Sequence, residues 1–225
     1  AKELRLYGRA TSFIACTPQG SFPVSMNLKG IFNVYNALAA IACGLARGLD
    51  PDTISLGLQS LKGVPGRFES VDEGQPFAVV VDYAHTPDSL ENILREARHL
   101  GPGNLTVVFG CGGDRDRSKR PVMGKIAAAS ADRVIITSDN PRTENAFDIC
   151  KEIEEGVLHE GRPRLGYEIM VDRACAIRRA IFLAEEGDVL VIAGKGHETY
   201  QIFSDAIIHF DDREVAASLL RERIE

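Results

Sequence analysis

Leu105-Thr106-Val107-Val108-Phe109-Gly110-Cys111-Gly112-Gly113-Asp114-Arg115-Asp116-Arg117-Ser118-Lys119-Arg120-Pro121 is the stretch on which the fold turns. Its first five residues form a short, mostly apolar run of the kind buried on both faces in a parallel sheet. Three glycines then let the backbone approach a ligand closely. Four cationic side chains with two acids between them suit an anionic ligand, a carboxylate or a phosphate. Pro121 suits the first residue of a helix. Taken alone, the loop reads equally as a solvated charged turn.

The same strand, loop and helix recur on either side. From Arg67 onward, strands are predicted near residues 77–82, 105–110, 133–138, 166–171, 189–193 and 207–210. Helices are predicted near 87–100, 121–130, 146–157, 173–186 and 212–223, with Thr86-Pro87 at one start and Gly187 after one end. This alternation predicts a doubly wound α/β domain with a mostly parallel sheet over residues 65–225, and ligands in such sheets sit beyond the carboxyl ends of the strands.

The first part reads differently. Leu4-Arg5-Leu6-Tyr7, Ser12-Phe13-Ile14-Ala15 and Phe22-Pro23-Val24-Ser25-Met26 alternate in strand fashion around a Thr17-Pro18-Gln19-Gly20 turn. A helix follows from about residue 33 to 47, and Asp50-Pro51 caps a shorter one ending near Leu61. Gly63-Val64-Pro65-Gly66 reads as a linker and natural hinge. A sheet and two helices make a meagre core, so residues 1–64 are expected to be the tail of a larger domain.

Composition narrows the function classes. The 225 residues are 44% hydrophobic with a net charge of −6, which argues against non-specific nucleic-acid binding. Residues 1–66 carry six Lys/Arg and three Asp/Glu, whereas the remainder carries 20 against 29, so the arginine cluster stands out in an acidic background. No apolar run reaches the length of a membrane span. Five cysteines without a CxxC pair or zinc spacing fit reduced thiols and a cytoplasmic location. Cys111 reads as a small residue filling a tight loop.

Four unusual loops follow four of the predicted strands. They are Asp82-Tyr83-Ala84-His85-Thr86-Pro87-Asp88, the glycine–arginine loop, Ser138-Asp139-Asn140-Pro141-Arg142-Thr143-Glu144-Asn145, and Gly194-Lys195-Gly196-His197-Glu198-Thr199. Arg115 and Arg142 are candidates to grip carboxylates through paired hydrogen bonds. Asp139, Asn140 and Glu198 are candidates to receive an ammonium group. A site with both halves suits a zwitterionic amino acid better than a phosphate. Bland readings stay open: an Asx turn for Asp139, a backbone-bonded loop histidine for His197, a solvated Lys195, and a helix-capping strand end for Asp82, His85 and Asp88.

Five ordered motifs carry a resemblance over nearly the whole chain. Gly30-Ile31-Phe32-Asn33-Val34-Tyr35-Asn36-Ala37-Leu38-Ala39-Ala40, Pro65-Gly66-Arg67-Phe68-Glu69 and Val81-Asp82-Tyr83-Ala84-His85-Thr86-Pro87-Asp88 resemble consecutive signatures of the ATP-dependent Mur ligases. Asp139-Asn140-Pro141-Arg142 and Gly194-Lys195-Gly196-His197-Glu198 resemble the diaminopimelate-adding (MurE) branch of that family. The resemblance implies a Rossmann-like C-terminal domain preceded by the tail of an ATP-binding central domain over residues 1–64. It implies an ATP-dependent acid–amino-acid ligase of peptidoglycan synthesis and cell-wall biogenesis. Such an enzyme adds meso-diaminopimelate to UDP-MurNAc-L-Ala-D-Glu through an acyl phosphate, with Mg2+.

By the same resemblance, Asn33 and Asn36 lie near the adenine, Arg67 near the terminal phosphates, and Asp82 and His85 near the ribose. Arg115, Asp139, Asn140, Arg142, Gly194 and Glu198 match positions that hold the incoming diamino acid, with Arg142 on the distal carboxylate that lysine lacks. Missing from this sequence are a glycine-rich P-loop with lysine, a match to the family's carbamylated lysine, and a uridine-nucleotide domain. The magnesium ligands are expected in those parts and none in this chain. The chain is therefore read as the C-terminal half of the enzyme, inactive by itself. A diamino-acid binding module and a folylpolyglutamate or cyanophycin synthetase are the competing readings. A nicotinamide dehydrogenase is disfavoured by the lack of GxGxxG.

Overall fold

The computed structural model describes residues 1–6, 11–161 and 163–224; Tyr7, in the first expected strand, lies outside the described residues. Two compact units divide the chain, Ala1–Val64 and Pro65–Glu225.

In the smaller unit, β1 (Lys2–Arg5), β2 (Thr11–Thr17) and β3 (Gly20–Met26) form an antiparallel sheet in that order. Helices α1 (Ile31–Ala46) and α2 (Pro51–Ser60) follow. Asp50 caps α2 by accepting the Thr53 N–H at 2.8 Å, and Pro51 occupies the first turn, where its missing N–H costs nothing. Phe13, Ala15, Val24 and Met26 of the sheet pack with Val34, Ala37, Ile41, Ile54 and Leu58 of the helices.

The larger unit is built on a six-stranded sheet of order β4-β5-β9-β6-β7-β8. Its strands are β4 (Glu69–Ser70), β5 (Ala78–Asp82), β6 (Leu105–Phe109), β7 (Arg133–Ile136), β8 (Tyr167–Ile169) and β9 (Val189–Ala193). All pairings are parallel except that of the edge strand β4 with β5. The chain moves outward from β5 through α3 (Pro87–Ala97), β6, α4 (Lys119–Ser130), β7, α5 (Ala146–Glu160) and β8. It then returns through α6 (Arg173–Leu183) to insert β9 between β5 and β6. Right-handed crossovers put outward and returning helices on opposite faces. Accordingly Val79, Val81, Val108, Ile135, Leu190 and Ile192 pack with α6 and with α7 (Asp212–Ile224). The intervening Val80, Val107, Val134 and Val191 are buried on the side of α3, α4 and α5.

The run near 207–210 is a strand, as expected, but it lies outside the six-stranded sheet: β11 (Ile207–His209) pairs with β10 (Tyr200–Ile202) in a separate two-stranded hairpin. Ile207 is 71% exposed, so this apolar run was never bound for a two-faced core. The sixth strand is instead the two-residue β4, too short to leave a periodic signal. Helix α4 begins at Lys119, two residues before the proline expected to open it, and α6 stops at Leu183, short of Gly187.

Helices α4 and α5 meet at backbone contact. A Cβ on Gly156 would lie 1.8 Å from Pro121 O, and one on Gly124 would lie 2.0 Å from Ile153 O. Alanine is favoured over glycine in a helix by about 1 kcal/mol, but overpacking against a rigid backbone costs about 1–3 kcal/mol. Gly156→Ala is therefore expected to destabilise the larger unit by about 1 kcal/mol net in urea denaturation; a more stable variant would contradict this packing.

Candidate functional site

The parallel register sets the site. Asp82 pairs with Ala193, Ala193 with Phe109, and Phe109 with Ile136, so four strands end at one level and their loops leave from one edge.

After β5, the buried Asp82 carboxylate accepts the Phe68 N–H at 2.7 Å. The Tyr83 N–H donates to Gly66 O at 2.8 Å, and the Gly66 N–H to Glu69 Oε2 at 2.6 Å. These bonds hold the turn carrying Arg67, in which Gly66 and Phe68 both have left-handed φ (+67° and +48°). Any Cβ on Gly66 would fall 2.1 Å from the His197 backbone nitrogen, so only glycine lets this turn rest on the β9 loop. The exposed Arg67 guanidinium lies over the Tyr83 ring at 5.4 Å. The rings of His85 and His197 lie 4.5 and 5.2 Å from Tyr83, and His85 Nδ1 is 2.8 Å from Tyr83 O. Tyr83 thus gathers a cation and two imidazoles, a role its sequence position did not announce. Burial pushes the Asp82 carboxyl up, against the lowering effect of the Phe68 and Ala84 N–H groups and Arg67.

After β6 and β7, two loops are clamped together. The Arg120 guanidinium has no exposed surface and reaches both Glu144 oxygens and Glu152 Oε2 at 2.8 Å. The Asp114 N–H donates to Glu144 Oε1 at 2.6 Å. Hydrogen bonding from Arg120, above all, holds the Glu144 carboxyl down at about 2. A carboxyl lowered on folding adds stability above its ordinary value near 4.5 that disappears as pH falls towards about 2. The stability gap between wild type and Glu144→Gln is expected to be widest above pH 4.5 and to close towards pH 2; a gap independent of pH in acid denaturation would contradict the clamp. Arg117, which pairs with Glu152, and Arg120 hold the loop rather than face a ligand.

That clamp positions Arg142 and Arg115. Arg142 is left-handed (φ +54°), and its backbone N–H donates to Ile202 O at 3.0 Å. Its Nη1 donates to Gly113 O at 2.9 Å and more weakly to Asn140 O at 3.3 Å. Among the described residues, the exposed Arg115 side chain donates to its neighbour's carbonyl alone, Asp114 O, at 3.0 Å. Both arginines border the space over Gly112: a Cβ there would lie 2.9 Å from Arg142 Nη1 and 3.7 Å from Arg115 Cγ. The Arg142 guanidinium and the stem of the Arg115 side chain therefore border the same glycine.

Asp139, Asn140, Gly194 and Glu198 form the neighbouring cluster. Asp139 Oδ1 accepts the Asn140 N–H at 2.7 Å, and its Oδ2 would lie 2.8 Å from a Cβ on Gly194. Gly194 has φ +115°, and its N–H donates to Asp82 O at 3.1 Å. Asn140 Oδ1 accepts from Lys195 Nζ at 3.2 Å and from the Ile202 N–H at 3.0 Å, while its Nδ2 donates to Glu198 Oε2 at 2.9 Å. This bears against the expectation that the Asn140 side chain receives an ammonium: its oxygen already holds two donors, so the amide end with capacity left is the N–H end. Lys195 is not solvated but fully buried. Gln201 was missed; its Nε2 donates to Asp139 O and Ser138 Oγ at 2.8 Å and fixes the loop from the hairpin side.

Asn33 and Asn36 lie in the smaller unit. Buried Asn33 donates to Lys29 O at 2.8 Å and accepts from the exposed Asn36 at 3.2 Å, which fixes the start of α1. The Cys111 thiol is buried against Met123, and burial pushes it up to about 12, so it is no nucleophile. Among the described residues no group of three or more His, Cys, Asp or Glu side chains is placed to hold a metal ion. None of the helices in the described residues is long and apolar enough to cross a membrane.

The model of the Mur ligase glutamate ligase domain matches residues 66–196. The UDP-N-acetylmuramoyl-L-alanyl-D-glutamate–2,6-diaminopimelate ligase of Syntrophomonas wolfei is 54% identical over 225 residues, which are 100% of this chain and 46% of that one. The ligase of the same name from Geobacillus kaustophilus is 52% identical over 99% of this chain and 45% of its own. The chain thus spans just under half the length of these curated relatives. A solved structure of a ligase of that name superposes with a TM-score of 0.71 at 38% identity, covering 100% of this chain and 45% of that chain. A UDP-N-acetylmuramate–alanine ligase from Thermotoga maritima shares the fold, with a TM-score of 0.67 at 21% identity over 98% of this chain and 44% of that chain.

Proposed function

The chain belongs to the Mur ligase family, and on that premise we propose that its larger unit receives meso-diaminopimelate for a diaminopimelate-adding ligase. The observation that carries this is the convergence of Arg115 and Arg142 on the space over Gly112, beside the Glu198 carboxylate that Asn140 holds. Two guanidiniums and a carboxylate match an amino acid with a second carboxylate better than they match lysine or a phosphate. In this reading Arg142 grips the distal carboxylate, Arg115 assists, and Glu198 takes an ammonium group, with Asp139 and Gly194 shaping the wall.

The reaction proposed is amide formation in peptidoglycan precursor synthesis, in the cytoplasm. ATP phosphorylates the free carboxylate of UDP-MurNAc-L-Ala-D-Glu, the held amine attacks the acyl carbon, and phosphate leaves. What the site contributes is orientation of the attacking amine. Asn33 and Asn36 are assigned to the adenine side, Arg67 to the terminal phosphates, and Asp82 and His85 to the ribose side, with residues 1–64 belonging to the ATP-binding domain. Asp82 supports its assignment indirectly, by holding the Arg67 turn. No step is assigned to Mg2+, because the described residues offer it no cluster. The sequence has no GxxxxGK[ST] loop, so the chain alone is proposed to bind the amino acid without hydrolysing ATP.

Calorimetric titration of the chain with meso-diaminopimelate and with L-lysine tests the reading. Selective binding of the former is expected; equal affinity for both ligands would overturn it.

A further inference from the structure

Lys195 has no exposed surface and stands against Glu198, the carboxylate assigned to the ligand's ammonium. Its Nζ lies 3.1 Å from Glu198 Oε2, 3.2 Å from Asn140 Oδ1 and 5.5 Å from the centre of the Tyr200 ring. Gly194 and Gly196, both at positive φ (+115° and +54°), flank it in sequence. Neither tolerates a side chain: a Cβ on Gly196 would lie 2.6 Å from Tyr83 Cβ, and one on Gly194 would lie 2.8 Å from Asp139 Oδ2.

An ammonium has donors only, and a carboxamide has one acceptor end and one donor end. Lys195 Nζ and the Ile202 N–H both aim at one end of the Asn140 amide. That end must be the oxygen, because a reversed amide would set its NH2 against two donors. The opposite end, the NH2, then faces Glu198 Oε2, which Lys195 also holds. One buried cation therefore orients both the amide and the carboxylate.

We propose that Lys195 is a positioning residue that sets which face of Asn140 and which oxygen of Glu198 the site presents to an incoming amino acid. It compensates the buried side of Glu198 and leaves the other oxygen for the ligand's ammonium. It also keeps the remaining Asn140 N–H available to a carboxylate. The site thereby offers one acceptor among several donors, a pattern that fits a zwitterion and rejects a ligand with only cations.

The proposal rests on the diaminopimelate reading for its consequence but not for its geometry, so the experiment has a ligand-free arm. Lys195→Met removes the charge and keeps the length; Lys195→Gln is the second variant if the first does not fold. The Asn140 side-chain amide is followed by NMR in the ligand-free chain, and binding of meso-diaminopimelate and of pimelate, the dicarboxylate without amines, by calorimetry. The expected results are a displaced, averaged Asn140 amide signal, a roughly 10- to 100-fold loss of diaminopimelate affinity, and a much smaller loss for pimelate, which has no ammonium for Glu198 to hold. An unchanged Asn140 amide in a folded variant would overturn the positioning role, as would equal losses for both ligands. If wild type ignores diaminopimelate while the amide responds as stated, the ligand reading fails and the positioning role stands.

Discussion

Asp212→Ala is expected to lower the stability of the larger unit by about 3–5 kcal/mol, because it leaves a guanidinium buried without its counter-ion. Arg173 and Asp212 both have no exposed surface, and two bonds of 2.7 Å join them. Arg173 also donates to Ser138 O at 3.1 Å and to Ala193 O at 3.0 Å. Those carbonyls follow β7 and end β9, the strands on either side of β6, so one side chain ties two loops of the site from beneath. The loss should appear as a fall in melting temperature on the order of 10 °C in calorimetry. A change below about 1 kcal/mol would be that of an exposed pair and would contradict the burial. Arg173→Met together with Asp212→Leu is expected to recover most of the loss, since apolar replacement of a buried pair is often neutral.

Arg142→Ala is expected to weaken meso-diaminopimelate binding by about 2–3 kcal/mol, roughly 30- to 150-fold, the worth of charge-assisted bonds to one carboxylate. Binding of L-lysine should not change, because lysine has no distal carboxylate to lose. The left-handed backbone at Arg142 supports such a specific role: a non-glycine residue in that region costs about 1–3 kcal/mol and persists where its surroundings over-determine it. Here the bond to Ile202 O and the bridge to Phe203 do so. A parallel loss for lysine, measured in the same calorimeter, would mean that Arg142 holds the loop rather than the ligand.

The sheet was legible because its strands are continuous apolar runs between turn residues, and the parallel order follows from the alternation with helices. The hairpin of β10 and β11 was not. Ile207-Ile208-His209 has a strand's composition, but nothing in a single sequence separates an exposed apolar run from a buried one. The loops of the site stood out by residue type, since arginines, acids and glycines gather in the turns after successive strands, but residue type did not separate Arg115 and Arg142 from Arg117 and Arg120, which clamp the loops. Their internal wiring was not legible. Whether Asn140 offers oxygen or nitrogen depends on Lys195 and Ile202, which are 55 and 62 residues away along the chain. Lys195 looked solvated because lysine almost always is. Only the two positive-φ glycines around it, Gly194 and Gly196, hinted at a backbone that could turn it inward.

The location of the amino-acid site is most directly tested by NMR chemical-shift mapping of the chain titrated with meso-diaminopimelate. The account predicts shifts concentrated at Gly112, Arg115, Asn140, Arg142, Gly194 and Glu198. Shifts confined to the smaller unit, for example around the groove lined by Pro18, Leu38, Ala42 and Leu45, would contradict it.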